Sequence, residues 1–155
     1  MGYNVIDIID KAIAIEEKRK TIINNVVNEN DNIPYIKVIS KVLIKQLDKM
    51  IKYYEELRKE VKTEELDTID IMTYDKMSFL INEFNKKTYI PEVNNVREYL
   101  KFSLDLARDK YSLFVDIQGR LVNNTKDNNS KTYKILSAII KNISRQISTI
   151  EKTLK

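Results

Sequence analysis

The chain has 155 residues, 43% hydrophobic and 32% charged, with a net charge of +4, a balance that predicts one packed soluble domain over 1–155. It contains no Cys and no His, which excludes disulfides, thiolate or imidazole metal sites, Ser-His-Asp triads and cysteine nucleophiles. Two Gly and two Pro leave few tight turns, so an all-α fold is expected rather than a many-stranded sandwich or barrel. No stretch approaches the ~18 apolar residues of a membrane span. The opening Met1-Gly2-Tyr3-Asn4-Val5-Ile6-Asp7 lacks the basic-then-apolar order of a signal peptide, so a cytoplasmic location away from membranes is the expectation.

Apolar residues at helical spacing, from Val5, Ile8 and Ile9 to Ile22, Ile23 and Val26, predict a first helix over 4–28. Glu16 and Arg19 interrupt that stripe. The run Asn28-Glu29-Asn30-Asp31-Asn32 offers the backbone competing local hydrogen bonds and ends the helix. Pro34 suits the first turn of the next helix. That second helix, over 34–62, has the clearest seam. Ile36, Leu43, Met50 and Leu57 repeat every seven residues, interleaved with Ser40, Leu47, Tyr54 and Val61.

The stretch 63–91 is acid-rich and irregular. Met77, Leu80, Ile81 and Phe84 mark a short helix over 74–86, and a connection this long predicts a crossover along the bundle. A third helix over 92–122 opens after Pro91 and aligns Val96, Leu100, Leu104, Ala107, Tyr111, Phe114 and Leu121. The polar run Asn123–Ser130 predicts a short loop. A fourth helix over 131–154 carries Leu136, Ile139, Ile143, Ile147, Ile150 and Leu154. Each long helix would span roughly 37 Å at 1.5 Å per residue.

The helices repeat in pairs. Ala12-Ile13-Ala14-Ile15-Glu16-Glu17-Lys18 matches Ser103-Leu104-Asp105-Leu106-Ala107-Arg108-Asp109 in pattern, and Lys45-Gln46-Leu47-Asp48-Lys49-Met50-Ile51 matches Lys141-Asn142-Ile143-Ser144-Arg145-Gln146-Ile147. This arrangement resembles the rubrerythrin branch of the ferritin-like superfamily. The resemblance implies a four-helix bundle of two helical hairpins joined by a long crossover that contains a short helix. In that family, A-I-E-x-E on helices one and three and E-x-x-H on helices two and four converge on two metal ions. Carried over, the ligand positions fall on Glu16, Leu47, Met50, Ala107, Ile143 and Gln146. Only Glu16 keeps a ligand, so the resemblance implies the fold with a degenerate metal site and no cofactor. The family's cysteine-rich iron domain has no counterpart here.

On that frame Glu16 is a carboxylate in a mostly apolar interior, where it needs a partner. Arg19 lies three residues on, and Gln146 could donate across the bundle, giving an expected core cluster of Glu16, Arg19 and Gln146. Alternatively the first helix rotates and both charges reach solvent. Lys37, Lys41, Lys45, Lys49 and Lys52 form one outer basic row, and a solvated face is its plainer reading over phosphate binding. Tyr54 and Tyr111 are expected on seams, with satisfied hydroxyls. Tyr53, Tyr99 and Tyr133 are expected off the main stripe. Met72, Met77 and Phe79 form a candidate contact patch.

No arrangement of Ser, Lys, Tyr or carboxylates stands out as catalytic. The expected function is a non-catalytic scaffold or protein-interaction bundle, self-associating or binding another protein. The alternatives are an iron-handling or di-iron oxidoreductase with an unconventional carboxylate site, and a nucleic-acid-binding module using the basic rows.

Overall fold

A computed structural model of the chain describes residues 3–61, 68–88, 92–121 and 130–154. Five helices occupy them: α1 Val5–Glu29, α2 Ile36–Val61, α3 Ile71–Lys86, α4 Val96–Leu121 and α5 Lys131–Leu154. Most boundaries are written locally. Asn4 Oδ1 accepts from the Ile6 N–H at 2.8 Å while the Asn4 N–H donates to Asp7 Oδ2 at 2.9 Å, a reciprocal cap that starts α1. Asn30 closes it, its amide and its backbone N–H both reaching the Val26 carbonyl at 3.0 Å. Asp70, Asn95 and Ser130 each accept an N–H from the first turn of α3, α4 and α5.

Three helix starts differ from the sequence expectation, one of them that of α4, which begins at Val96 and not at 92, after the Asn95 cap. Pro34 lies in a turn ahead of α2 and not in its first turn, because Tyr35 adopts φ 65° and its carbonyl accepts the first helical bond, from Ile39. In the crossover, α3 starts at Ile71 and not near 74, since the Asp70 cap adds a turn. Pro91, the acidic residues Glu64, Glu65 and Asp67, and the loop residues Asn123 to Asn129 lie outside the described residues.

The ion pairs fix the helix directions. Lys20–Asp48 at 2.6 Å and Asp10–Arg58 at 3.0 Å run α1 against α2. Arg108–Glu151 at 3.1 Å and Gln118–Ser137 at 2.7 Å run α4 against α5. These two hairpins hold the most extensive helix contacts, α3 lies on α4, and α2 meets α5 more lightly. Across the hairpins, Glu16 bonds Lys110 and Arg19 bonds Ser103, so α1 and α4 are antiparallel. It follows that α2 and α4 point the same way, and the chain must travel back along the bundle between them.

The described part of that return is α3. At its start the Ile69 N–H donates to the Tyr3 carbonyl at 2.7 Å, and the Tyr74 ring stacks on Tyr3 at 3.7 Å between centroids. Near its end the Asn85 carbonyl accepts from Lys18 Nζ at 3.2 Å. Thus α3 runs alongside α1, burying Met77, Ile81 and Phe84 in the single core that also takes Ile8, Tyr54, Phe114 and Ile139. No helix among the described residues is long and apolar enough to cross a membrane.

Tyr35 is 76% exposed, so its side chain contributes little packing while its backbone sits in the left-handed region that disfavours a Cβ. Tyr35→Gly should raise stability by up to about 1 kcal/mol, read by urea unfolding with an unchanged slope. A loss of several degrees in Tm would contradict this account.

Candidate functional site

The sequence stripes are mostly core, but α4 is wider than its stripe. Leu100, Leu104, Ala107 and Phe114 are buried as expected, whereas Tyr111 is 37% exposed. A second row, Tyr99, Ser103, Leu106, Lys110, Leu113 and Ile117, is buried beside the first. Its spacing alternates four and three, the mark of a packed seam. Two of its members are polar and so read as surface. The row is buried because α4 packs against α3 as well as α5 and faces α1 across the centre.

Lys110 comes from that row. Its Nζ donates to Glu16 Oε1 at 2.6 Å, and both side chains are within 5% of complete burial. Arg19 is buried too, its Nη2 donating to Ser103 Oγ at 3.4 Å, while the Ser103 hydroxyl donates to the Tyr99 carbonyl at 3.0 Å. Gln146 is buried, and its backbone carbonyl accepts from Gln46 Nε2 at 3.4 Å. The expected cluster is therefore corrected in one respect. Glu16, Arg19 and Gln146 all lie inside, but the bond that satisfies Glu16 comes from Lys110, a residue the stripe had passed over.

Several polar atoms in this centre have no hydrogen-bond partner among the described residues: Glu16 Oε2, Arg19 Nη1, Tyr54 Oη, Asn142 Nδ2 and Gln146 Oε1. Tyr54 Oη lies beside the Asn142 amide but out of hydrogen-bond geometry, so the expected satisfied hydroxyl is not found. A cavity of about 10 Å³, lined in part by Arg19, Leu47, Ala107, Lys110 and Gln146, adjoins two of these side chains and is about the size that seats one water.

Burial dominates the electrostatics. It lowers the Lys110 pKa from 10.5 against the upward pull of Glu16, and lowers Arg19 in the same way. It pushes Tyr54 well above 10.0, and the Glu16 charge adds to that rise. Tyr99 is raised as well, by burial first, although its hydroxyl accepts from Ser40 Oγ at 3.3 Å.

The six former-ligand positions converge on the interior, each less than one-tenth exposed. Their chemistry does not fit a pair of metal ions. Leu47, Ala107 and Ile143 offer no donor and Met50 only a thioether. Gln146 offers one amide, and the single carboxylate already holds an ammonium. Among the described residues no group of three or more His, Cys, Asp or Glu side chains assembles anywhere. Lys110 Nζ is bonded to Glu16, and the cavity beside it is about one water wide.

The surface candidates divide. Lys37, Lys41, Lys45, Lys49 and Lys52 are all exposed along α2. Tyr99, expected off the stripe, is fully buried, whereas Tyr53 and Tyr133 are half-buried. Met77 belongs to the core and drops out of its patch, because it lies on the α3 face turned inward. Met72 and Phe79 remain exposed, joined by Ile71. Compared with family models, curated proteins and solved structures, the chain matches none of them.

Removing one member of the buried pair strands the other's charge. Glu16→Leu and Lys110→Met should each cost about 3–5 kcal/mol in chemical unfolding, whereas the double variant should fall within about 1 kcal/mol of the parent or above it. Losses that simply add would refute the coupling.

The tyrosines set a pH limit. A folded-state pKa above 10.0 means the unfolded chain loses the Tyr54 proton first, so this contribution is intact below pH 10 and is lost as pH climbs beyond it. Lys110 works with the opposite sign, adding stability as pH rises towards 10.5. Tyr54→Phe leaves that lysine effect in place. It should be near neutral at pH 7, where it removes an unbonded hydroxyl, and should flatten the loss above pH 10 in pH-dependent thermal melts.

Proposed function

We propose that this chain is a non-catalytic helical bundle of ferritin-like type, in which packing and one ion pair take the place of a di-metal centre. It acts through its helix faces as a scaffold or interaction module. One observation carries the reading: the only family ligand retained in the sequence, Glu16, is bonded by Lys110 Nζ at 2.6 Å inside the bundle. A tethered ammonium neutralises a buried carboxylate as a bound cation otherwise would, and needs no loading step. Leu47, Met50, Ala107 and Ile143 complete a greasy surround in the manner of an ordinary bundle core.

The antiparallel pairing within each hairpin and the α3-bearing return between them support the ferritin-like part of the proposal. The exposed Ile71, Met72 and Phe79 on α3 supply an apolar strip through which a second copy or another protein would be contacted.

Protein purified without chelators should contain no stoichiometric iron, manganese or zinc, and calorimetric titration with each divalent ion should show no saturable site. Two metal ions per chain, lost on Glu16→Ala, would replace this reading with an iron-handling or oxidoreductase one.

A further inference from the structure

The helices divide charge unevenly. α2 carries seven basic and four acidic side chains and α5 five and one, so the pair holds twelve against five, a net +7. α1, α3 and α4 together carry eleven of each and are neutral. Two of the five acids on the positive pair are also spent on other helices, Asp48 on Lys20 and Glu151 on Arg108. Four cations of this pair, Lys45 and Lys49 on α2 and Lys141 and Arg145 on α5, are exposed and enter no ion pair among the described residues.

A surface groove of about 140 Å³ lies between α2 and α5. Lys49 and Arg145 line it directly, together with the amides of Gln46 and Asn142. Gln146 and Thr149 complete its polar lining. Along α2 the lysines recur every four residues from Lys37 to Lys49, one charge per about 6 Å of helix. A line of cations beside a groove lined by Lys49 and Arg145 is complementary to a chain of phosphates.

We infer that the α2/α5 face binds the phosphodiester backbone of a nucleic acid, with a phosphate seated between Lys49 and Arg145. The exposed apolar side chains of α2, Val38 and Val42, lie towards one end of the strip, and the groove is amide-lined, so the face lacks the apolar row that insertion into an anionic membrane needs. No aromatic side chain lines the groove, and binding is to the backbone without base readout. The inference names a partner for the exterior of the non-catalytic bundle proposed above. Metal titration reports on the centre and nucleic-acid titration on this face, so either can fail alone.

The test is fluorescence anisotropy of a short labelled duplex of mixed sequence with the full chain. With four phosphate contacts the affinity should fall roughly a hundredfold between about 50 and about 200 mM salt. Lys49→Ala with Arg145→Ala should weaken binding at low salt by at least about tenfold and reduce the log–log salt slope by about two. Lys87→Ala with Lys101→Ala, exposed cations on other parts of the surface, should leave both unchanged. Circular dichroism melts confirm that each surface variant is folded. The inference is overturned if no duplex or single strand binds at low salt, or if both variant pairs weaken binding equally. It is equally overturned if phosphatidylserine vesicles or polyglutamate bind while nucleic acid does not.

Discussion

A carboxylate and an ammonium, each removed from water, hold the middle of this bundle together. Isolated, either charge would cost several kcal/mol in that environment, and only their contact at 2.6 Å makes the arrangement tolerable. The pair also constrains geometry. Glu16 is on α1 and Lys110 on α4, so the two hairpins must meet in one register for both charges to be satisfied. Leucine against leucine would accept a slip by a turn, whereas a buried ion pair does not. Arg19 to Ser103 repeats the same constraint about one turn along α1.

That constraint explains where α3 lies. A lysine on α4 stays buried only if something covers the groove beside α1, and α3 does so, with Phe84 bordering the cavity next to Lys110. The return segment is therefore part of the core as well as a connection. It also divides the molecule electrostatically. The covered side, α1, α3 and α4, has balanced charge and closes the centre, while the pair left without a covering helix, α2 and α5, carries the positive excess.

Much of the fold was legible because its signals are local. Among the described residues five helices are found where periodicity put five, and α5 keeps its expected bounds. The break at Glu16 in an otherwise apolar stripe left two readings, an interior carboxylate or a rotated helix, and Glu16 is fully buried. Lys110 and Tyr99 were illegible for the opposite reason. A single amphipathic stripe is the right template for a helix with one buried face, but α4 has neighbours on three sides and buries two adjacent rows. Polar Ser103 and Lys110 disguised the second row, and Tyr111, which looked like a member of the first, is left at the edge.

The sequence by itself determined which chemistry is impossible, since a chain without Cys or His cannot build sites that need thiolates or imidazoles. It also determined four of the five helix starts among the described residues, because Asn4, Asp70, Asn95 and Ser130 satisfy backbone N–H groups within a few residues of themselves. The tertiary structure alone decided the partner of Glu16, which lies 94 residues away. It also decided which basic rows stand side by side on one face. Both depend on how helices are turned against one another, and that rotation is settled by the packing of all five together.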